Sequence, residues 1–268
     1  QKDSNSHYRK SCFKSKLMQN KSINLDLNFS KTTMPAGKRV LMACVPADGH
    51  FNPLTGIAKQ LQSNGYDVRW YVSKEYSAKL NKLQIPHYPF NKAMELTAEN
   101  VDQAFPERNA IRNPVKKLNF DIINFFINRG PEYYADIQDI YKKFRFDLVI
   151  ADCAFSAIPF IKEKMNIPVI SIGVFPLTEK SKDLAPNGLG LTPIKGIFGK
   201  VKHRFLHLLA DHLLFRQANK VMKQVLAKEG IEINNINLFD LLVKKSTLLL
   251  QSGTPGFEYK RSDLSSNI

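Results

Sequence analysis

Apolar residues recur along the chain in two rhythms. Short, nearly unbroken runs near 39–45, 67–72, 86–90, 146–151, 168–172 and 246–250 read as strands buried on both faces, and the stretches between them carry helical spacing. The first cycle is the clearest. Arg39-Val40-Leu41-Met42-Ala43-Cys44-Val45 is strand-like, and Pro46 and Gly49 punctuate it. Asn52 followed by Pro53 reads as an N-cap with proline at the first helical position, where the missing N–H would have been unpaired anyway. Leu54, Ile57, Ala58 and Leu61 then mark one face of a helix running to about Asn64, Gly65 stops it, and 66–72 supply the next strand. A strand–helix–strand cycle of this kind crosses over right-handed into a parallel sheet. The predicted fold class is α/β, with parallel strands and helices on both faces.

This pattern also fixes where chemistry can sit, because open parallel sheets present ligand-binding groups at the carboxyl ends of their strands. His50 falls in the turn after the first strand, just before the predicted helix. The free N–H groups there favour a neutral imidazole, able to take a proton from a hydroxyl. The plain alternative is a solvated or helix-capping loop histidine. Phe146-Asp147-Leu148-Val149-Ile150-Ala151-Asp152 is a second apolar strand that ends in a carboxylate, followed by a helix-patterned run at 154–164 and a strand at 167–172. Taken alone, Asp152 reads as a helix N-cap. Parallel topology nonetheless carries the ends of both strands to one edge of the sheet. No Gly-x-Gly-x-x-Gly follows the first strand, which weakens a dinucleotide-binding reading.

The turn Val45-Pro46-Ala47-Asp48-Gly49-His50-Phe51-Asn52-Pro53, its helix, and Gly65-Tyr66-Asp67-Val68 resemble the first βαβ unit of UDP-glycosyltransferases of GT-B architecture. The likeness is to the macrolide glycosyltransferase group and its plant and animal glucosyl- and glucuronosyltransferase kin. The strand ending at Asp152, and Ala185-Pro186-Asn187-Gly188-Leu189-Gly190-Leu191-Thr192-Pro193 before a long helical run, extend it over about 38–268. The resemblance implies a Rossmann-like, acceptor-binding N-terminal half of an inverting hexosyltransferase. In that role His50 is the general base for the acceptor hydroxyl, and Asp152 hydrogen-bonds it, fixes its tautomer and stabilises the imidazolium. The donor is a UDP-sugar, the acceptor is small and lipophilic, and no metal or other cofactor is expected. The donor-binding domain, whose His- and Gln-containing segment holds the UDP-sugar in that family, is expected to be missing from these residues, leaving the chain alone inactive. The competing reading is a non-catalytic ligand-binding module, or a half-enzyme that needs a separate donor domain.

Composition narrows the picture further. With 268 residues, 43% of them hydrophobic, the chain can bury one substantial core. Three cysteines, Cys12, Cys44 and Cys153, are odd in number and lack Cys-x-x-Cys spacing, so neither a disulfide scaffold nor a zinc site is expected. Cys153, after an apolar strand and without a neighbouring base, reads as a packed thiol. No apolar stretch approaches the roughly 20 residues that span a bilayer. A cytoplasmic location is expected.

A net charge of +15 raises the question of anionic partners. Residues 1–37 carry seven Lys and Arg against two Asp and read as a disordered basic extension. The other basic residues fall mostly at helix-surface spacing without a nucleic-acid motif, so no nucleic-acid partner is expected, and weak peripheral membrane contact is the lesser reading. His203, His207 and Asp211 follow one another at i, i+4 and i+8, yet one straight helix cannot converge three ligands on an ion, so metal is not expected there. Phe205, Leu208, Leu209, His212 and Leu213 form a stripe expected to pack on the sheet or border the acceptor pocket. Phe90, Phe105, Phe125, Phe126 and Phe155 are candidates for an apolar acceptor cavity, although most of them are expected to be core, and the resemblance implies acceptor pockets built from loops such as 91–114 and 174–200.

Overall fold

The strands β1 (Arg39–Ala43), β2 (Asp67–Tyr71), β3 (His87–Tyr88), β4 (Leu148–Asp152), β5 (Val169–Gly173) and β6 (Leu248–Gln251) pair in parallel throughout, in the order β3-β2-β1-β4-β5-β6. They belong to a computed structural model that describes residues 38–268 apart from 98, 188 and 235. The disorder expected for 1–37 lies outside the described residues. Each strand overlaps one of the apolar runs of the sequence. The order reverses between β1 and β4, where Ala43 pairs with Ala151, and this switch point opens a crevice at the carboxyl ends of both strands.

Both faces of the sheet are covered, which is why its strands read as continuous rather than alternating apolar runs. Helices α1 (Asp48–Ser63) and α2 (Ser77–Lys82) pack on one face, over Val40, Met42, Val68, Trp70 and Ile150. Along the chain follow α3 (Val101–Ala104), α4 (Glu107–Ala110), α5 (Pro114–Asp121), α6 (Arg129–Lys143), α7 (Ile158–Phe160), α8 (Gly196–Leu209), α9 (Arg216–Lys228) and α10 (Leu238–Lys245). Of these, α6, α7, α9 and α10 contribute to the core on the opposite face, over Leu41, Ala43, Tyr71, Val149 and Ala151.

Two helix boundaries differ from those predicted. The first helix begins at Asp48, so Pro53 lies inside it and His50 lies in its first turn rather than before it. The N–H groups of His50 and Phe51 both donate to the Ala47 carbonyl at 2.9 Å, which starts the helix a turn early. Phe51 is 1% exposed, with its ring 4.7 Å from Trp70 and 4.4 Å from Tyr76. Burying such a ring is worth about 2–3 kcal/mol, more than the roughly 1 kcal/mol of an Asn cap. The rung that Pro53 removes would have ended on Gly49, which is exposed to water. Gly65, at φ +87°, follows the helix as predicted. After β4, residues 153–157 are turns and α7 starts only at Ile158, winding on into a π-helical turn, Ile161–Met165. Asp152 therefore does not cap that helix.

Helix α8 inverts the predicted packing. Its buried residues are Gly199, His203 and His207, whereas Phe205 and Leu208 stand exposed, as does Leu213 in the π-helical turn Ala210–Leu214 that follows. The interior partners of the histidines account for this. His207 Nε2–H donates to the carbonyls of Ser181 and Leu184 at 3.1 and 3.0 Å, and the Ile194 N–H donates to His203 Nε2 at 3.4 Å. Asp211 instead receives Lys180 at 2.9 Å. The helix is thus pinned by its polar side.

A further buried carboxylate gave no sign of its role in the sequence. Asp136 of α6, 3% exposed, accepts the Tyr71 hydroxyl at 2.8 Å and the N–H groups of Asn91, Lys92 and Ala93 at 2.9, 2.8 and 3.2 Å. It moors the segment after β3 to the helix layer. Asp136→Ala leaves those donors unpaired and will lower unfolding free energy by about 3 kcal/mol, whereas Tyr71→Phe removes one bond to a charged group and costs about 1.5 kcal/mol. Urea titration checks both.

His207 sets a pH dependence. Burial pushes its imidazole below the ordinary 6.5. The unfolded chain therefore takes up a proton as pH falls through about 6.5 while the folded chain resists, so this contribution to stability is full above that value and fades as pH drops. His207→Gln, which keeps a donor toward the two carbonyls, will show a shallower loss of stability than the parent between about pH 7 and pH 5 in urea titrations.

Candidate active site at the switch point of the sheet

The crevice between β1 and β4 holds the two side chains singled out in the sequence, which lie 102 positions apart along the chain. Nδ1 of His50 is 2.7 Å from Oδ1 of Asp152. Asp152 ends β4 and is fully buried, while the His50 side chain keeps 20% of its surface exposed. Two backbone donors complete the carboxylate: the Val45 N–H reaches Oδ2 at 2.8 Å and the Ala154 N–H reaches Oδ1 at 2.7 Å. A carboxylate that accepts on both oxygens is an acceptor toward the ring as well. Nδ1 of His50 therefore carries the hydrogen and Nε2 the lone pair. Among the described residues no hydrogen-bond partner meets Nε2.

An apolar cavity of about 200 Å³ lies near the pair, lined by their neighbours though by neither His50 nor Asp152. Cys153 and Ala154, which follow Asp152 directly, form part of its wall, as does Phe175, whose ring meets that of His50 edge-on at 5.9 Å. The remaining wall includes Phe126 from the π-helical turn Ile122–Ile127, Met222 of α9 and Phe239 of α10. Of the five phenylalanines proposed from the sequence, Phe126 alone lines this cavity. Phe90 and Phe155 pack instead around Tyr71 and Tyr133, and Phe105 pairs with Phe125 at 5.6 Å. Of the two loops, 174–200 contributes Phe175 and Thr178, and 91–114 contributes nothing to this lining. Met222 and Phe239 were missed because their only signal is amphipathic spacing, which marks a buried face without telling core from cavity.

Cys153 sits at the cavity with its thiol pushed up to about 12 by burial, so it stays protonated and unreactive near neutrality. Among the described residues no group of three or more His, Cys, Asp and Glu stands where it would hold a metal ion.

No protein-family model matches the chain. Among curated proteins it is 28% identical over 228 residues to 4'-demethylrebeccamycin synthase of Lentzea aerocolonigenes, a match covering 85% of this chain and 54% of that protein. It is 27% identical over 254 residues to UDP-glucosyltransferase 1 of Beauveria bassiana, covering 84% and 52% respectively. The glycosyltransferase VinC, solved in complex with DTDP, superposes with a TM-score of 0.54 at 14% identity, over 85% of this chain and 52% of that one. At that identity the likeness is one of fold. The chain spans about half the length of the curated relatives it matches. In sequence the chain is thus similar to about half the length of UDP-glycosyltransferases, and in fold to glycosyltransferases of GT-B architecture.

Proposed function

We propose that this chain is the acceptor-binding part of an inverting glycosyltransferase, which moves a hexosyl group from a UDP-sugar to a hydroxyl of a small, lipophilic acceptor. The observation that carries the reading is the 2.7 Å contact between His50 Nδ1 and Asp152 Oδ1 beside an apolar cavity of about 200 Å³. With Nδ1–H committed to the carboxylate, the Nε2 lone pair is the basic site. An acceptor held by the apolar wall brings its hydroxyl to Nε2. As its oxygen attacks the anomeric carbon, the proton passes to Nε2 and the nucleotide diphosphate departs from the opposite face, which inverts the centre. Asp152 then offsets the positive charge on the ring, while its bonds to Val45 and Ala154 keep the carboxylate from turning away. General-base catalysis of this kind is worth about 10²–10⁴-fold and uses neither a metal nor another cofactor.

The UDP-sugar belongs in this reading to a second domain, either continuous with these residues or separately encoded, because transfer needs both reactants in one cleft. VinC was solved with DTDP, a nucleoside diphosphate like the UDP of the donor proposed but with a different nucleoside. The chain alone is expected to bind acceptors with little or no turnover. A non-catalytic ligand-binding module is the second reading, favoured by the half-length match to the relatives.

The test joins this chain to the donor-binding domain of a relative and supplies labelled UDP-glucose with a panel of polycyclic and phenolic alcohols. His50→Ala is expected to lower kcat/KM by about 10²–10⁴-fold with folding intact by circular dichroism, and Asp152→Asn by about 10²-fold or more together with a loss of stability, because its amide nitrogen replaces one of the two accepting oxygens. Turnover unaffected by His50→Ala removes the base assignment. Acceptor binding without transfer in the joined protein favours the non-catalytic module.

A further inference from the structure

The inverted helix α8 is built like a surface seeking an apolar partner. Ile197, Phe198, Val201, Phe205 and Leu208 are 73, 86, 65, 58 and 49% exposed. At about 3.6 residues per turn they fall in one stripe opposite Gly199, His203 and His207. Lys200 and Arg204 border the stripe on one side and Lys202 on the other, all exposed. Beside Lys200 and Arg204 opens a basic cavity of about 520 Å³, to which Lys180, Lys182 and Lys244 also contribute, with Ile197 and Val201 in its lining. Part of its charge is answered within the protein: Lys180 meets Asp211 at 2.9 Å, Lys244 meets Asp240 at 3.7 Å and Lys200 meets Asp183 at 3.9 Å. Lys182 and Arg204 have no ion-pair partner among the described residues. The other carboxylate at the cavity, Asp263, is occupied by the Ser181 hydroxyl at 2.6 Å and the Lys182 N–H at 2.8 Å.

We propose that α8 and this cavity form a docking surface for an anionic lipid bilayer. The helix lies in the headgroup plane with Phe198, Phe205 and their aliphatic neighbours in the acyl boundary, and the cavity receives headgroup phosphates. An apolar stripe edged by Lys and Arg on a helix is the arrangement that partitions to such interfaces. Charge complementarity selects this occupant over a second copy of the chain. A symmetric dimer through the same face would oppose the two sets of cations, in a protein whose net charge is already +15. Among the described residues no helix is long and apolar enough to cross a membrane, so the contact is peripheral. The inference stands apart from the assignment of His50 and Asp152.

Sedimentation of the full chain with phosphatidylcholine vesicles, with and without added phosphatidylserine, tests it. Binding is expected to the anionic vesicles alone, with release by salt. Phe198→Ser/Phe205→Ser and, separately, Lys182→Glu/Arg204→Glu are each expected to weaken partitioning by about tenfold or more, with folding unchanged by circular dichroism. These side chains are outside the candidate active site, so hexosyl transfer to soluble acceptors by the joined protein should not change. Equal binding by the parent and both variants would assign the attraction to another basic surface, such as residues 1–37, and overturn the proposal. So would absence of vesicle binding, or a concentration-dependent dimer that the phenylalanine substitutions abolish.

Discussion

A carboxylate buried at the end of a central strand is costly unless its oxygens are occupied. Asp152 satisfies that demand with three donors from three different parts of the chain: Val45 just beyond β1, His50 in the first turn of α1 and Ala154 in the turn after β4. The same requirement that keeps the residue folded thus fixes the spacing of the switch-point crevice and the tautomer of the imidazole. Removing the carboxylate would leave two backbone N–H groups without partners and release the ring. Architecture and proposed chemistry rest on one side chain.

Much of the fold was legible because burial on both faces leaves a simple signature. Runs such as 39–45 and 168–172 stand out as strands, and the elements between them are long enough for parallel crossovers. Boundaries were less legible, since the local cue at Asn52-Pro53 competes with a tertiary one. Burial of Phe51 against Trp70 and Tyr76 outweighs the cap, and no reading of neighbours alone reveals those rings. Helix α8 misled for the opposite reason. Its apolar stripe suggested a core face, whereas two histidines with carbonyl and amide partners hold the other side inward.

The site shows the same division. His50 and Asp152 were accessible from the sequence because each terminates or follows an apolar strand, and parallel topology brings such ends together. The cavity beside them was not. Its wall is assembled from Phe126, Phe175, Met222 and Phe239, which arrive from separate elements, and aromatic content alone does not tell such a wall from core residues such as Phe90 and Phe155. Asp136 remained hidden too, because its partners Asn91, Lys92 and Ala93 lie more than forty positions away.

One consequence concerns how such a scaffold diversifies. The floor of the cavity, at Cys153 and Ala154, is continuous with Asp152 and cannot shift without disturbing its bonds. Its sides, by contrast, come from α9, α10 and a π-helical turn, none of which supplies a bond to the carboxylate. Substitutions there can widen or narrow the chamber while the imidazole stays aligned. Under the proposed function, the shape of the chamber and the alignment of the His50–Asp152 pair are thereby carried by different elements and can vary separately.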